Sequence, residues 1–129
     1  IKGSDILLTL EKSLLKEFQL SNGAGAGYRG NFLGNIQISN NIRVIYNPAM
    51  KPLSKIKSVE VEGEPLKPLK WYKVAISDYL QRGTGYTDFM NCKNEIYRPE
   101  WLREILEMYL KKKRFIQLAI SKRFIKTNE

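Results

Sequence analysis

The sequence predicts an α+β domain: a mixed or antiparallel sheet of about five strands packed with two amphipathic helices. Three observations carry this. Apolar residues recur at helical spacing near both ends, in 5–19 and again in 101–109. Between them, short runs such as Ile42, Val44 and Tyr46 alternate with polar neighbours at the two-residue period of a strand. Proline and glycine punctuate those runs at Pro48, Pro52, Gly63, Pro65 and Pro68. A chain of 129 residues suffices for one core and not for two, so 1–129 reads as a single domain.

Leu7, Leu10, Leu14 and Phe18, widened by Leu8 and Leu15, make an amphipathic helix from about Asp5 to Gln19, with Ser4 or Asp5 as its cap. Residues 22–30 are a loop by composition. Gly25, Gly27 and Gly30 satisfy G-x-G-x-x-G, but a dinucleotide fingerprint follows a strand and opens a helix, whereas this one follows a helix. It is read as a connector in which Arg29 is available to a phosphate or carboxylate. Strands are expected at Asn31–Leu33, Ile36–Ser39 and Ile42–Tyr46, the last ended by Asn47-Pro48, and again around Ile56, Val59 and Val61. Trp71–Ser77 is expected as the central strand, with Tyr72, Val74 and Ile76 on one face. Arg98-Pro99-Glu100 starts a second helix whose buried stripe is Trp101, Leu102, Ile105, Leu106, Met108 and Tyr109. Lys111, Lys112 and Lys113 fall in its last turn, where the helix dipole favours cations. Phe115–Ile120 is expected as a final strand.

Composition narrows the chemistry. Twenty-two Lys and Arg against thirteen Asp and Glu give +9, which favours anionic partners. The absence of histidine removes the commonest general base and metal ligand, and the one cysteine, Cys92, forms no internal disulfide and has no imidazole to activate it. It reads as a buried or incidental thiol. No apolar run approaches the roughly 20 residues that cross a bilayer. The sequence opens at Ile1 without a charged start or an apolar signal core, so no targeting segment is visible and the chain is expected to be part of a longer one.

The most informative stretch is WYKVAISDYLQRGTGYTDF, from Trp71 to Phe89. Gly83-Thr84-Gly85 supplies backbone that takes positive φ or lets a ligand approach, with Tyr79 and Tyr86 on either side. Such a loop grips a flat, polar-edged ligand, or its tyrosines complete a core.

Read with its neighbours, this stretch resembles the C-terminal domain of the 5'-nucleotidase family. The family reads roughly valine-x-valine-x-glycine-x-proline-leucine, then tyrosine-x-valine-alanine, then Asn-Asp-Tyr/Phe-Leu and a Gly-Gly-Asp-Gly-Tyr/Phe loop. Here these stand as Val59–Leu66, Tyr72–Ala75, Ser77–Leu80 and Gly83–Tyr86, in that order. Leu10-Glu11-Lys12-Ser13 is similar to the family's Leu-Glu-x-Ser helix end, and Gly30–Leu33 with Val44–Pro48 to its earlier strands.

The resemblance implies nucleoside or nucleotide recognition, with a base stacked between two aromatics. Phe32 is taken as the first and Tyr79 as the second; an alignment anchored on the later strand puts Asn35 in the first position instead. Gly83, Thr84, Gly85 and Tyr86 complete the expected site. The family places an aspartate on the ribose hydroxyls where this chain has Thr84, and one glycine of the pair is absent. A hydroxyl is the weaker acceptor, since charge-assisted hydrogen bonds are roughly twice as strong. Family members hydrolyse phosphate esters with two divalent metal ions held in a preceding N-terminal domain. The resemblance therefore implies no cofactor in this segment, no activity from it alone, and a secreted, periplasmic or cell-surface parent that is a metallophosphoesterase. A rival reading keeps the fold without the nucleotide, as a basic interaction module for an anionic membrane or nucleic acid.

Overall fold

The computed structural model describes residues 1–15, 36–82, 87–113, 115–116 and 122–128. In chain order it contains α1 (Gly3–Ser13), β1 (Ile42–Tyr46), β2 (Ile56–Val61), β3 (Glu64–Pro65), α2 (Asp78–Gln81), a 3-10 helix (Thr87–Asn91), α3 (Leu102–Lys113) and β4 (Phe124–Lys126). The strands form a four-stranded mixed sheet in the order β3-β2-β1-β4. The expected α+β class holds, with four strands among the described residues.

The sheet grows from β1. It pairs antiparallel with β2, Val44 opposite Val59, and parallel with β4, Val44 opposite Phe124. Val44 is fully buried, and with Val59 and Leu10 of α1 it forms the main core, ringed by Ile6, Ile36, Ile38, Ile56 and Phe124. Burying side chains of this size contributes about 1.5–3 kcal/mol each. β2 and β3 are joined by Glu62-Gly63, both in the left-handed region at φ 56° and 82°, as a two-residue type I′ hairpin requires.

α1 is bound to the sheet by a buried carboxylate. Glu11 accepts the backbone N–H of Lys55 (3.0 Å) and of Ile56 (2.8 Å), where β2 begins, and Lys55 Nζ donates to the Leu14 carbonyl at 2.9 Å. The ammonium thus lies at the helix C-terminus, where the dipole favours it. It also explains why α1 stops at Ser13 and not near Gln19: Leu14 N–H has already folded back to Glu11 O, and its carbonyl is taken by Lys55. The helix starts at Gly3 with Lys2 in the cap position and no side-chain cap bond, so neither Ser4 nor Asp5 caps it.

Three other expectations are corrected. Residues 36–39 are not a strand; Ile36 and Ile38 pack into the core while the Ile38 carbonyl accepts from the Arg123 guanidinium, outside any ladder. Trp71–Ser77 is not the central strand: it makes a single antiparallel bridge, Lys2 with Trp71, and 72–77 run without a pairing strand among the described residues. Alternation marks a segment fit for a sheet, but a strand exists only where a neighbour completes its hydrogen bonds. The stripe of α3 is exposed and not buried, with Trp101 at 67%, Leu102 at 74% and Met108 at 68% of full accessibility. Of the expected Phe115–Ile120 strand, Phe115 and Ile116 are exposed and residues 117–120 lie outside the described residues; the last strand among the described residues is Phe124–Lys126.

Candidate functional site

Of the residues expected to form the site, Tyr79 is placed by the structure. Phe32 and its alternative Asn35, together with Gly83, Thr84, Gly85 and Tyr86, lie outside the described residues, as does Arg29.

Tyr79 belongs to α2, a single turn that the alternating pattern before it concealed. The signal was present in Ser77-Asp78: Ser77 has extended backbone and its hydroxyl accepts the N–H of Leu80 at 3.4 Å, an N-cap, with Asp78 in the first turn. Asp78 pairs with Arg82 one turn later at 3.4 Å. On the inner side, Ile76 and Leu80 pack against Ile1 and Phe89, the second core cluster, and Phe89 is held in the 3-10 helix. Tyr79 stands outside that cluster and is 38% exposed. A ring is thereby presented at the surface by a turn whose neighbouring residues are anchored.

The far end of α2 is tied to the loop after the 3-10 helix by a closed ring of polar side chains. Gln81 Nε2 donates to Cys92 Sγ (3.6 Å), whose thiol donates to Glu95 Oε1 (3.0 Å). Tyr97 OH lies 2.9 Å from Glu95 Oε2 and 3.0 Å from Gln81 Oε1. The Cys92 thiol, then the Tyr97 hydroxyl, hold the Glu95 carboxyl below its ordinary range, and Glu95 in turn pushes the Tyr97 hydroxyl up. Local spacing does not reveal this ring, because Gln81 and Tyr97 are sixteen residues apart. Cys92 is half-buried, as a thiol without a partner would be, yet it serves as a relay in the ring and is not incidental.

No group of three or more His, Cys, Asp or Glu that could hold a metal ion occurs among the described residues, and the chain has no histidine at all. The described residues offer no ligand set for a divalent metal pair, and no hydrolytic step is assigned to them. No helix among the described residues is long and apolar enough to cross a membrane.

Comparison with known proteins places this architecture. The family model described as 5'-nucleotidase, C-terminal domain matches residues 1–91. Among solved structures, a 5'-nucleotidase precursor from Thermus thermophilus superposes with a TM-score of 0.74 at 22% identity, over 100% of this chain and 24% of its own. The sulfate thiohydrolase SoxB of Thermus thermophilus, solved with glycerol, superposes with a TM-score of 0.65 at 20% identity, over 100% of this chain and 22% of its own. The chain therefore spans about a quarter of the length of the solved proteins it matches. No curated protein matches it.

Proposed function

Because the chain belongs to the 5'-nucleotidase C-terminal domain family, we propose that it is the nucleoside- or nucleotide-recognition part of a larger phosphoesterase. A base stacks between Phe32, the first ring, and Tyr79, the second, with Gly83, Thr84, Gly85 and Tyr86 forming the edge that meets the sugar. The observation that carries this reading is the presentation of Tyr79: α2 holds it at the surface, capped by Ser77 and packed through Leu80, directly ahead of the Gly83–Tyr86 segment. Hydrolysis belongs to a metal-binding domain N-terminal to this one in a nucleotidase or cyclic phosphodiesterase, and this chain alone turns over no phosphate ester. A secreted, periplasmic or cell-surface parent goes with that family role. The exposed apolar stripe of α3, beside Lys111–Lys113, favours a second reading in which the fold serves as a basic interaction module.

Titrating adenosine and AMP at low and moderate salt tests the first reading. Each base–aromatic stack contributes about 1–3 kcal/mol, so Tyr79→Ala weakens saturable, salt-tolerant binding by roughly 5- to 150-fold. Absence of saturable binding, or a Tyr79→Ala variant that binds as wild type, removes the reading.

A further inference from the structure

A second aromatic surface is built where the turn Lys67–Trp71 meets the start of α1. Gly3 N–H donates to Lys70 O and Ser4 N–H to Pro68 O, both at 2.9 Å, while Tyr72 N–H donates to Ile1 O at 2.8 Å. Lys67 N–H donates to the Tyr72 hydroxyl at 2.9 Å, which fixes the ring against the same turn. The approach is so close that a Cβ on Gly3 falls 2.3 Å from Lys67 O. The backbone beneath Trp71 and Tyr72 is therefore set before any ligand arrives.

Three lysines far apart in the sequence converge on these two rings. Lys2 Nζ stands 5.6 Å and Lys93 Nζ 4.9 Å from the Trp71 ring centre, and Lys70 Nζ stands 5.1 Å from that of Tyr72. Trp71 is 41% exposed. Among the described residues, none of the three ammonium groups has a carboxylate within salt-bridge distance. Lysine ammonium groups held over rings at the surface are weakly bound there. A phosphate oxygen is a stronger partner for each, and a ring released by its ammonium is free to take a base.

We propose that Lys2, Lys70, Trp71, Tyr72 and Lys93 form a site for single-stranded nucleic acid. The lysines meet successive phosphates and the two rings stack bases, the combination on which sequence-independent single-strand binding rests. The site uses none of the residues of the Tyr79 turn and does not depend on the nucleoside reading.

The test is binding of a short fluorescein-labelled oligothymidylate to this chain at two salt concentrations. Three phosphate contacts at about 0.7 each give a log–log salt slope near −2, a roughly 20-fold loss of affinity for a fourfold rise in salt. In the Lys2→Gln/Lys70→Gln/Lys93→Gln variant the slope becomes shallower by that amount, and Lys93→Gln alone, remote from the α1 junction, removes about a third of it. In a Trp101→Phe background, Trp71 emission is quenched as the oligonucleotide binds. Saturating adenosine leaves the complex intact, which separates this site from the Tyr79 clamp. The proposal is overturned if the triple variant keeps the wild-type slope, or if Lys111→Gln/Lys112→Gln/Lys113→Gln abolishes binding in its place. It is equally overturned by unchanged Trp71 emission, by displacement with adenosine, or by binding to phosphatidylserine vesicles with none to the oligonucleotide.

Discussion

Replacing Glu11 gives the sharpest test of how this domain is held together. Its side chain is almost fully buried, and its two oxygens accept separate backbone donors, Lys55 N–H at 3.0 Å and Ile56 N–H at 2.8 Å. A hydrogen bond to a charged group is worth about 1.5–3 kcal/mol, and a buried donor left unpaired costs about 1–3 kcal/mol. Glu11→Ala removes both bonds and strands both donors, so the expected loss is about 3–5 kcal/mol, a large share of the roughly 5–15 kcal/mol that stabilises a domain. Glu11→Gln keeps one acceptor and turns an N–H₂ toward the other donor, so its loss is intermediate, about 2–3 kcal/mol. Urea denaturation followed by far-UV circular dichroism measures both, and thermal melts should fall by roughly 10–20 °C for the alanine variant. If Glu11→Ala lies within about 1 kcal/mol of wild type, or glutamine is fully tolerated, the carboxylate does not join α1 to β2 in the way described.

Three further outcomes are expected. Gly3→Ala should cost about 1–3 kcal/mol in the same denaturation assay, because its new Cβ meets the Lys67 carbonyl, which is backbone and has little room to yield. For the Glu95–Tyr97 pair, Glu95's lowered carboxyl contributes above the ordinary value of about 4.3, and that contribution is lost as pH falls through the lower folded value. Tyr97's raised hydroxyl contributes below about 10 and is lost as pH rises through its higher folded value. Phenolate absorbance should accordingly show a late-titrating tyrosine that disappears in Glu95→Gln; a wild-type titration without one refutes the pairing. Ile105→Glu on the open face of α3 should change stability by no more than about 0.5 kcal/mol in the same denaturation assay, since Ile105 belongs to neither core cluster of the described residues.

Which features could be read in advance follows the range of the interactions behind them. β1 and β2 stand where Ile42, Val44 and Tyr46 and Ile56, Val59 and Val61 put them, because alternation and the Asn47-Pro48 stop act within a few residues. The lysines at the end of α3 were readable for the same reason. Tyr79 could be singled out, but the turn that carries it was masked by the strand-like alternation of Tyr72, Val74 and Ile76. The ring of Gln81, Cys92, Glu95 and Tyr97 left no local trace, since each member is an ordinary polar residue until folding closes the ring. The Leu-Glu-x-Ser resemblance marked Glu11 without saying what its carboxylate does.

Residue order was enough for the α+β class, for the family through linked motifs in the right succession, and for the positions of the paired strands β1 and β2. Three features came only with folding: Trp71–Ser77 is bridged at a single point, Glu11 turns inward to backbone donors 44 and 45 residues away, and the apolar stripe of α3 faces outward. Periodicity records which faces are apolar. Whether such a face meets a sheet, a side chain or solvent is fixed only when distant segments are brought beside it, because burial and hydrogen bonding are properties of pairs.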